Sequence, residues 1–438
     1  MIRPSVILER LRHTLFGSRL RRNIGYTLGR QLLAAGAQLL LVVIIARALG
    51  PEGNGQYAMA ILLPTLMVNF LNLGVGPATV YFVGRGELTA SQAIQGNLWL
   101  GIRVAALGLP CGLPVLYFFG DALFPGVSLG LLLLGLATFP VSLLLAYLNT
   151  ILQGLEDFRA FNAATLIPPY IALAGTALTL LALGMGTQAA VVAYLIGQLL
   201  GLAMTLTFLR RKQRGEGARG EPVTGQARKV LGYGWKAHLS NILAFVNYRA
   251  DIFLVNFFLS PAATGVYVIA VQIAERLWML SQAASTVLLP RLSAMHEDPV
   301  ARLRLTNRSF RVVLFLTAGA GGFCAFALHW LLVPVFGAAY AEAMNAFLWL
   351  LPGVIAGAGA RVQSNCIAAA GKPEWNMYVA VLVVTTNVVL NIMLIPGFGI
   401  VGAAMATSAA YAANAAVKYY LVRKTVAKST DIFRSKPR

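Results

Sequence analysis

The chain has 438 residues, of which 58% are hydrophobic and only 11% charged, where soluble domains carry about 25% charged residues. That composition excludes a water-soluble enzyme. Its 35 Lys and Arg against 15 Asp and Glu leave a formal net charge of +20, which in a soluble chain would point to nucleic acid, so the placement of the cations decides the reading.

Near the start, Ile7, Leu8, Leu11, Leu15 and Phe16 recur at helical spacing among arginines, which predicts a short interfacial helix over residues 5–22. Twelve apolar stretches follow, each reaching the roughly 20 residues that a helix needs to cross about 30 Å of hydrocarbon. They run 24–49, 55–80, 93–119, 127–152, 160–183 and 188–209, then 233–258, 263–290, 309–336, 344–370, 375–395 and 399–422. Gly, Pro or charge clusters punctuate every junction, and no strand is predicted. The first run is too long for a secretory signal and lacks a cleavage site, so it is expected to stay in the mature protein. Cys111, Cys324 and Cys366 lie in apolar runs without metal-like spacing and are expected to be small buried hydrophobes.

Alternate connections, together with both ends of the chain, hold 27 of the 35 basic residues. The other six connections hold none, and carry only Glu52, Asp121 and Glu342. Positive charge stays on the cytoplasmic side, so both termini are expected there. Cations spread over one membrane face are not a folded basic domain with interleaved aromatics, which argues against a nucleic-acid partner. The Gly- and Arg-rich run Arg210–Lys229 reads as a flexible cytosolic linker in contact with anionic lipid.

The halves repeat each other. LGPEGNGQYAMA at 49–60 and LSPAATGVYVIA at 259–270 share the pattern L-x-P-x-x-x-G-x-Y-x-x-A at an offset of 210, and two further matches follow at offsets of 217 and 213. A duplicated unit of six helices keeps its orientation, a transporter architecture with parallel pseudo-symmetry. The expectation is an all-α integral membrane protein with twelve transmembrane helices in two pseudo-symmetric six-helix bundles. Residues 1–209 form the N-terminal lobe with its cytosolic interfacial segment, 210–232 the linker, and 233–438 the C-terminal lobe and tail.

Eight basic residues fall inside the apolar stretches, where a charge costs at least about 2.5–3.5 kcal/mol. Arg47, Lys236 and Lys418 lie near helix ends and are expected to snorkel to the interface. Arg30, Arg103, Arg249, Arg276 and Arg361 are deeper, and the only acids at that depth are Asp251 and Glu275. On the helix over 233–258, Ser240, Asn247 and Asp251 share one face while His238, Arg249 and Asn256 share nearly the opposite one. Arg249 and Asp251 are two apart and cannot pair on their own helix, nor can the neighbours Glu275 and Arg276. Three readings follow. Arg249 pairs with Glu275, or Asp251 with Arg276, across helices; the surplus arginines bind an anionic substrate such as a diphosphate; or Asp251 and Glu275 couple transport to a proton or sodium gradient. No metal or organic cofactor is expected, and His329 reads as an interior histidine.

The stretches ARALGPEGNGQYAMA, YRADIFLVNFFLSPAATGVYVIAVQIAERLWMLSQAASTVLLPRLS, AAAGKPEW and LNIMLIPGFGIVGAAMATSAAY resemble the polysaccharide-unit flippases. These are the O-antigen and exopolysaccharide repeat-unit translocases of the multidrug/oligosaccharidyl-lipid/polysaccharide exporter superfamily, and the resemblance covers nearly the whole chain. It implies twelve helices in two bundles and translocation of undecaprenyl-diphosphate-linked oligosaccharide from the cytoplasmic to the outer leaflet of a bacterial inner membrane, alongside other polysaccharide-assembly proteins. The expected route is alternating access through a cationic inter-lobe cavity. Arg249 and Asp251 match the family's Arg-x-Asp of helix 7, whereas Gly55, Tyr57, Gly265 and Tyr267 match loop motifs that read as structural. Lipid II flippases carry two further C-terminal helices that this chain lacks, which disfavours a cell-wall precursor as cargo.

Two alternatives are weighed against this. Multidrug efflux by the sister family usually takes cationic cargo, which the deep arginines oppose. A glycan polymerase or ligase builds its site on a long outer loop, yet no outer connection exceeds roughly ten residues. No P-loop, Gly-x-Ser-x-Gly, H-E-x-x-H or clustered carboxylate motif occurs, so an enzyme is not expected.

Overall fold

The computed structural model describes residues 18–215, 226–295 and 298–434, and all regular structure among them is helical. In chain order the first half contains α1 (Ser18–Leu71), α2 (Val75–Gly84), α3 (Ala90–Leu123), α4 (Leu129–Ala137), α5 (Phe139–Gly154), α6 (Phe158–Ala177, closing in a π turn) and α7 (Thr187–Gly215). The second contains α8 (Gln226–Phe258), α9 (Pro261–Arg276), α10 (Trp278–Ala294), α11 (Pro299–Phe336), α12 (Ala343–Ala369) and α13 (Pro373–Arg434). Most of the expected interfacial helix over 5–22 lies outside the described residues, as do the side chains of Arg30, Lys236 and Ser240.

Nine segments among the described residues are long and apolar enough to cross a membrane. Two of them, Leu32–Leu71 with 40 residues and Glu374–Lys424 with 51, are long enough for two crossings each at about 1.5 Å per residue. Each bends at a glycine in the left-handed region: Gly50 at φ 66° and Gly399 at φ 59°, a conformation that costs any residue with a Cβ. The polar helix α8 adds a crossing that apolarity alone misses. The twelve helices read from the sequence are thereby accounted for.

Three local expectations need correction. Helix α7 continues through Arg210–Gly215 and α8 starts at Gln226, so the segment expected as a linker over 210–232 is helical at both ends. Helix α11 begins at Pro299, capped by the Asp298 carboxylate, which accepts from the Ala301 amide at 2.8 Å; Arg302, Arg304 and Arg308 therefore lie on its first turns and not in a connection. Of the cysteines only Cys366 is buried; Cys324 is half-buried and Cys111 exposed, because an apolar stretch long enough to span a bilayer need not turn every apolar side chain inward.

The chain forms two compact units. The first comprises residues 1–45, 60–117 and 130–238. In it Phe139, Leu143, Tyr147 and Ile151 of α5 pack on Val75, Ala78 and Phe82 of α2, and the Asn97 amide ties α3 to both by donating to Thr79 Oγ1 at 3.1 Å and to the Tyr147 carbonyl at 3.0 Å. Two acids mark its polar edge. Asp157 caps α6 through the Ala160 amide at 3.1 Å and pairs with Lys212 at 3.0 Å; partial burial opposes its ionisation, yet these two partners hold its carboxyl below the usual range. The Lys229 ammonium hydrogen-bonded to Glu87 at 2.7 Å, with Arg85 beside it, likewise lowers the Glu87 carboxyl.

The second unit comprises residues 46–59, 118–129 and 239–438. Here the two copies of the repeated motif meet. Gly55 lies against the Pro261 carbonyl, and Gly265 lies reciprocally against the Pro51 carbonyl, so that a Cβ at either glycine would overlap the opposing oxygen. The Asn54 amide seals the crossing by donating to the Gly265 carbonyl at 2.9 Å. Arg47, expected to snorkel, is exposed but tied down: its guanidinium donates to the carbonyls of Pro334 and of Val335, the latter at 2.8 Å.

Candidate functional site

Helix α8 brings Arg249 and Asp251 into the second unit on opposite sides of one helix, and different partners receive them. Arg249 forks onto Glu275 of α9, with Nη1 donating to Oε1 at 2.8 Å and Nη2 to Oε2 at 3.4 Å. Its Nη1 also donates to the Tyr248 carbonyl at 3.0 Å. The first of the two cross-helix pairs considered is therefore present.

The second is not. Asp251 is 3% exposed and does not pair with Arg276; its Oδ2 accepts from the Tyr267 hydroxyl at 2.7 Å and from the Thr407 hydroxyl at 3.3 Å, and its Oδ1 from the Ile252 amide at 2.8 Å. Thr407 accepts in turn from the Asn387 amide at 3.2 Å, and Asn391 donates to the Asn387 carbonyl at 2.8 Å, leaving its own Oδ1 buried without a partner. A carboxylate taken out of water needs such donors, because the desolvation cost is otherwise uncompensated. Arg276 follows Glu275 and lies within electrostatic reach of both Glu275 and Arg249. Beside Arg249 a run of aromatic rings begins at Tyr248: Tyr248 to Trp278 at 5.1 Å and Trp278 to Tyr411 at 5.4 Å between centroids, with the Trp278 indole donating to the Val354 carbonyl at 3.2 Å.

Locally this centre is balanced, with Arg249 and Arg276 against Glu275 and Asp251. Arg103 belongs to the first unit, where its exposed guanidinium lies 3.5 Å from the Trp99 ring centre. Arg361 is half-buried on α12. Lys418, read as a snorkelling residue, is 9% exposed and donates to Ser364 Oγ at 2.8 Å, because its face of α13 packs on α12. His238 has a buried Nδ1 without a partner, and His329 stacks edge-on with Trp330 at 5.2 Å.

Sequence reading missed Tyr267, Thr407, Asn387 and the aromatic ring set. Only Tyr267 carried a signal, as the tyrosine of the repeated motif, and it was assigned to structure; Thr407 and Asn387 lie on a helix pair that the sequence marks only as apolar. Among the described residues no group of three metal-ligating side chains occurs.

Comparison with known proteins adds the following. The sequence profile of a family described as polysaccharide biosynthesis protein matches residues 44–345. The chain is 24% identical over 399 residues to the probable low-salt glycan biosynthesis flippase Agl15 of Haloferax volcanii, covering 87% of this chain and 79% of that one. A second protein of the same organism, the probable flippase AglR, is 27% identical over 183 residues, 40% of this chain and 37% of its own. Among solved structures, the lipid II flippase MurJ in an inward closed conformation superposes with a TM-score of 0.73 at 17% identity, covering 92% of this chain and 89% of that one. An inward-facing multidrug resistance transporter of the MATE family superposes at 0.71 with 14% identity, covering 90% of this chain and 95% of its own. The fold is thus shared with these two transporters.

Proposed function

Because the chain belongs to the polysaccharide biosynthesis protein family, we propose that it is a membrane translocase that moves a polyprenyl-diphosphate-linked oligosaccharide from the cytoplasmic to the outer leaflet by alternating access. The observation that carries this reading is the match along 87% of the chain to a probable glycan-biosynthesis flippase. The carrier is of the undecaprenyl type, the membrane is the bacterial inner membrane with both termini in the cytoplasm, and the partners are anionic lipid at that face and other polysaccharide-assembly proteins. The arginines at membrane depth, Arg30, Arg103, Arg249, Arg276 and Arg361, are the groups proposed to meet the diphosphate.

The Arg249–Glu275 pair suggests how binding is made reversible. A guanidinium fork fits a carboxylate or a phosphate equally well, so an arriving diphosphate competes with Glu275 for Arg249 and is released when the carboxylate returns. Asp251 is the group proposed for coupling to a proton or sodium gradient. Its carboxylate with the Tyr267 and Thr407 hydroxyls forms an oxygen set of the kind that holds a proton or a hard cation.

The test is charge reversal at Arg249 or Arg276 in the native host, with surface glycan and membrane insertion measured together. Glycan export is expected to fall to background in both variants while insertion is unchanged. Wild-type glycan in both would refute the site. A deletion strain with normal glycan but new sensitivity to cationic drugs would replace this function with multidrug efflux.

A further inference from the structure

The charge centre sets two acids against Arg249 and Arg276, whereas a second set of cations in the same unit, half-buried Arg361 and buried Lys418, has no acid at ion-pair distance. On α12, Arg361, Ser364 and Asn365 share one face at i, i+3 and i+4; on α13, Asn414 and Lys418 share another at i and i+4. The hydrogen bond from Lys418 Nζ to Ser364 Oγ at 2.8 Å sets these faces against each other. Arg361 lies close enough to Lys418 to repel it electrostatically. Among the described residues neither cation forms an ion pair, and the hydroxyl of Ser364 satisfies only one of the three N–H groups of Lys418. The Asn365 amide nitrogen is buried beside them without an acceptor. Farther along α12, Arg302 of α11 is 5% exposed, donates to the Ala369 carbonyl and leaves a buried Nε unmatched. The Ser364 hydroxyl gives its proton to the Ala360 carbonyl at 2.9 Å and Asn414 adds one unmatched buried acceptor, Oδ1, but the two adjacent cations have no carboxylate, at a depth where an uncompensated cation is costly. An oxyanion with several acceptor oxygens would resolve both deficits.

The geometry points to a phosphate-binding subsite formed by Arg361, Lys418 and Asn365, with Ser364 holding Lys418 in place, which takes the phosphate of a lipid-borne phosphate ester. It rests on the proposed function in assigning that ester to the diphosphate of the cargo. The residues lie toward the end of α12 and α13 that the charge asymmetry assigns to the cytoplasm, where a diphosphate on the inner leaflet would first be met. Arg361, half-buried, is the entry contact, and Lys418, 9% exposed, the inner one.

The experiment measures binding and ligand-induced thermal stabilisation of the full chain in uncharged detergent, with farnesyl diphosphate, phosphatidylglycerol and inorganic phosphate as separate probes. Each variant is compared with its own ligand-free melting temperature, which separates ligand binding from packing. Farnesyl diphosphate is expected to stabilise the wild type, and Lys418→Met and Arg361→Gln are each expected to weaken its binding about tenfold or more, with Lys418→Arg retaining it. Arg361→Gln, at the more open residue, keeps the test decisive if Lys418→Met does not fold. Affinities within twofold of wild type in Arg361→Gln and in folded Lys418→Met overturn the subsite. Loss confined to phosphatidylglycerol keeps the phosphate site and overturns its assignment to the cargo, whereas inorganic phosphate binding as tightly as the diphosphate overturns the requirement for a lipid-borne ester. Wild-type protein that binds the diphosphate but moves no lipid-linked oligosaccharide across vesicle bilayers would overturn the proposed function and leave the subsite standing.

Discussion

Removing a single hydroxyl, in Tyr267→Phe, tests whether the repeated tyrosine serves the buried carboxylate or only the packing. Tyr267 is 0% exposed and its hydroxyl donates to Asp251 Oδ2 at 2.7 Å, so phenylalanine keeps the ring in place and deletes only the donor. A hydrogen bond to a charged group contributes about 1.5–3 kcal/mol, and the buried acceptor leaves no water to replace it. The Thr407 hydroxyl at 3.3 Å is a longer bond, and Thr407→Val is expected to cost less, about 0.5–1 kcal/mol. In an Asp251→Asn background the tyrosine faces a neutral acceptor, so the same Tyr267→Phe change should cost about 1 kcal/mol or less, which gives a coupling energy of about 1–2 kcal/mol between the two positions. Equilibrium unfolding by SDS in mixed micelles measures all four members of this cycle. Tyr267→Phe within about 0.5 kcal/mol of its parent in both backgrounds would refute the argument and return Tyr267 to a packing role.

Three further outcomes are expected. Glu275→Gln strands the Arg249 guanidinium; with side-chain exposures of 33% and 25% the pair is only partly desolvated, so the loss should be near 1–3 kcal/mol, and an Arg249→Glu/Glu275→Arg exchange should recover part of the unfolding stability. Gly55→Ala and Gly265→Ala each drive a methyl into the opposing proline carbonyl, and each should destabilise by about 1–3 kcal/mol, with the double variant clearly less than additive because one separation of the segments relieves both overlaps; additive losses in a thermal unfolding assay would contradict the shared crossing. Asp157→Ala should cost about 1 kcal/mol through the lost cap of α6. Since the folded state holds that carboxyl below the unfolded value of about 3.9, its ionic contribution is fully present above that pH and is lost as pH falls through the folded value; the gap between wild type and Asp157→Ala should therefore be constant from neutral pH to about 5 and narrow below 4.

The number of crossings was legible in the sequence because a bilayer imposes a length and an apolarity that no local context can waive. So was the meaning of the duplicated Leu-x-Pro-x-x-x-Gly motif as a structural feature. Its glycines are glycines because Pro51 and Pro261 press their carbonyls onto them. Helix α8 was recognised as special from two polar faces; Arg249 and Asp251 found partners in Glu275 and in Tyr267 and Thr407, whereas Asn247 Oδ1 and His238 Nδ1 stay buried without one.

What the sequence left open was the choice of partner. Arg249 had Glu275 available and Asp251 had Arg276, yet only the first pair formed, and Asp251 was taken by hydroxyls from α9 and α13. Lys418 reads as an end-of-helix residue from its position and is buried because α13 turns that face onto α12. Periodicity gives the face a side chain occupies on its own helix; it does not give the rotation and spacing of the next helix. Hydrocarbon and water therefore let the sequence alone determine how many helices cross and where they break, whereas the neutral charge centre and the unmatched Arg361–Lys418 pair depend on helix azimuth, which only close packing of the folded chain decides.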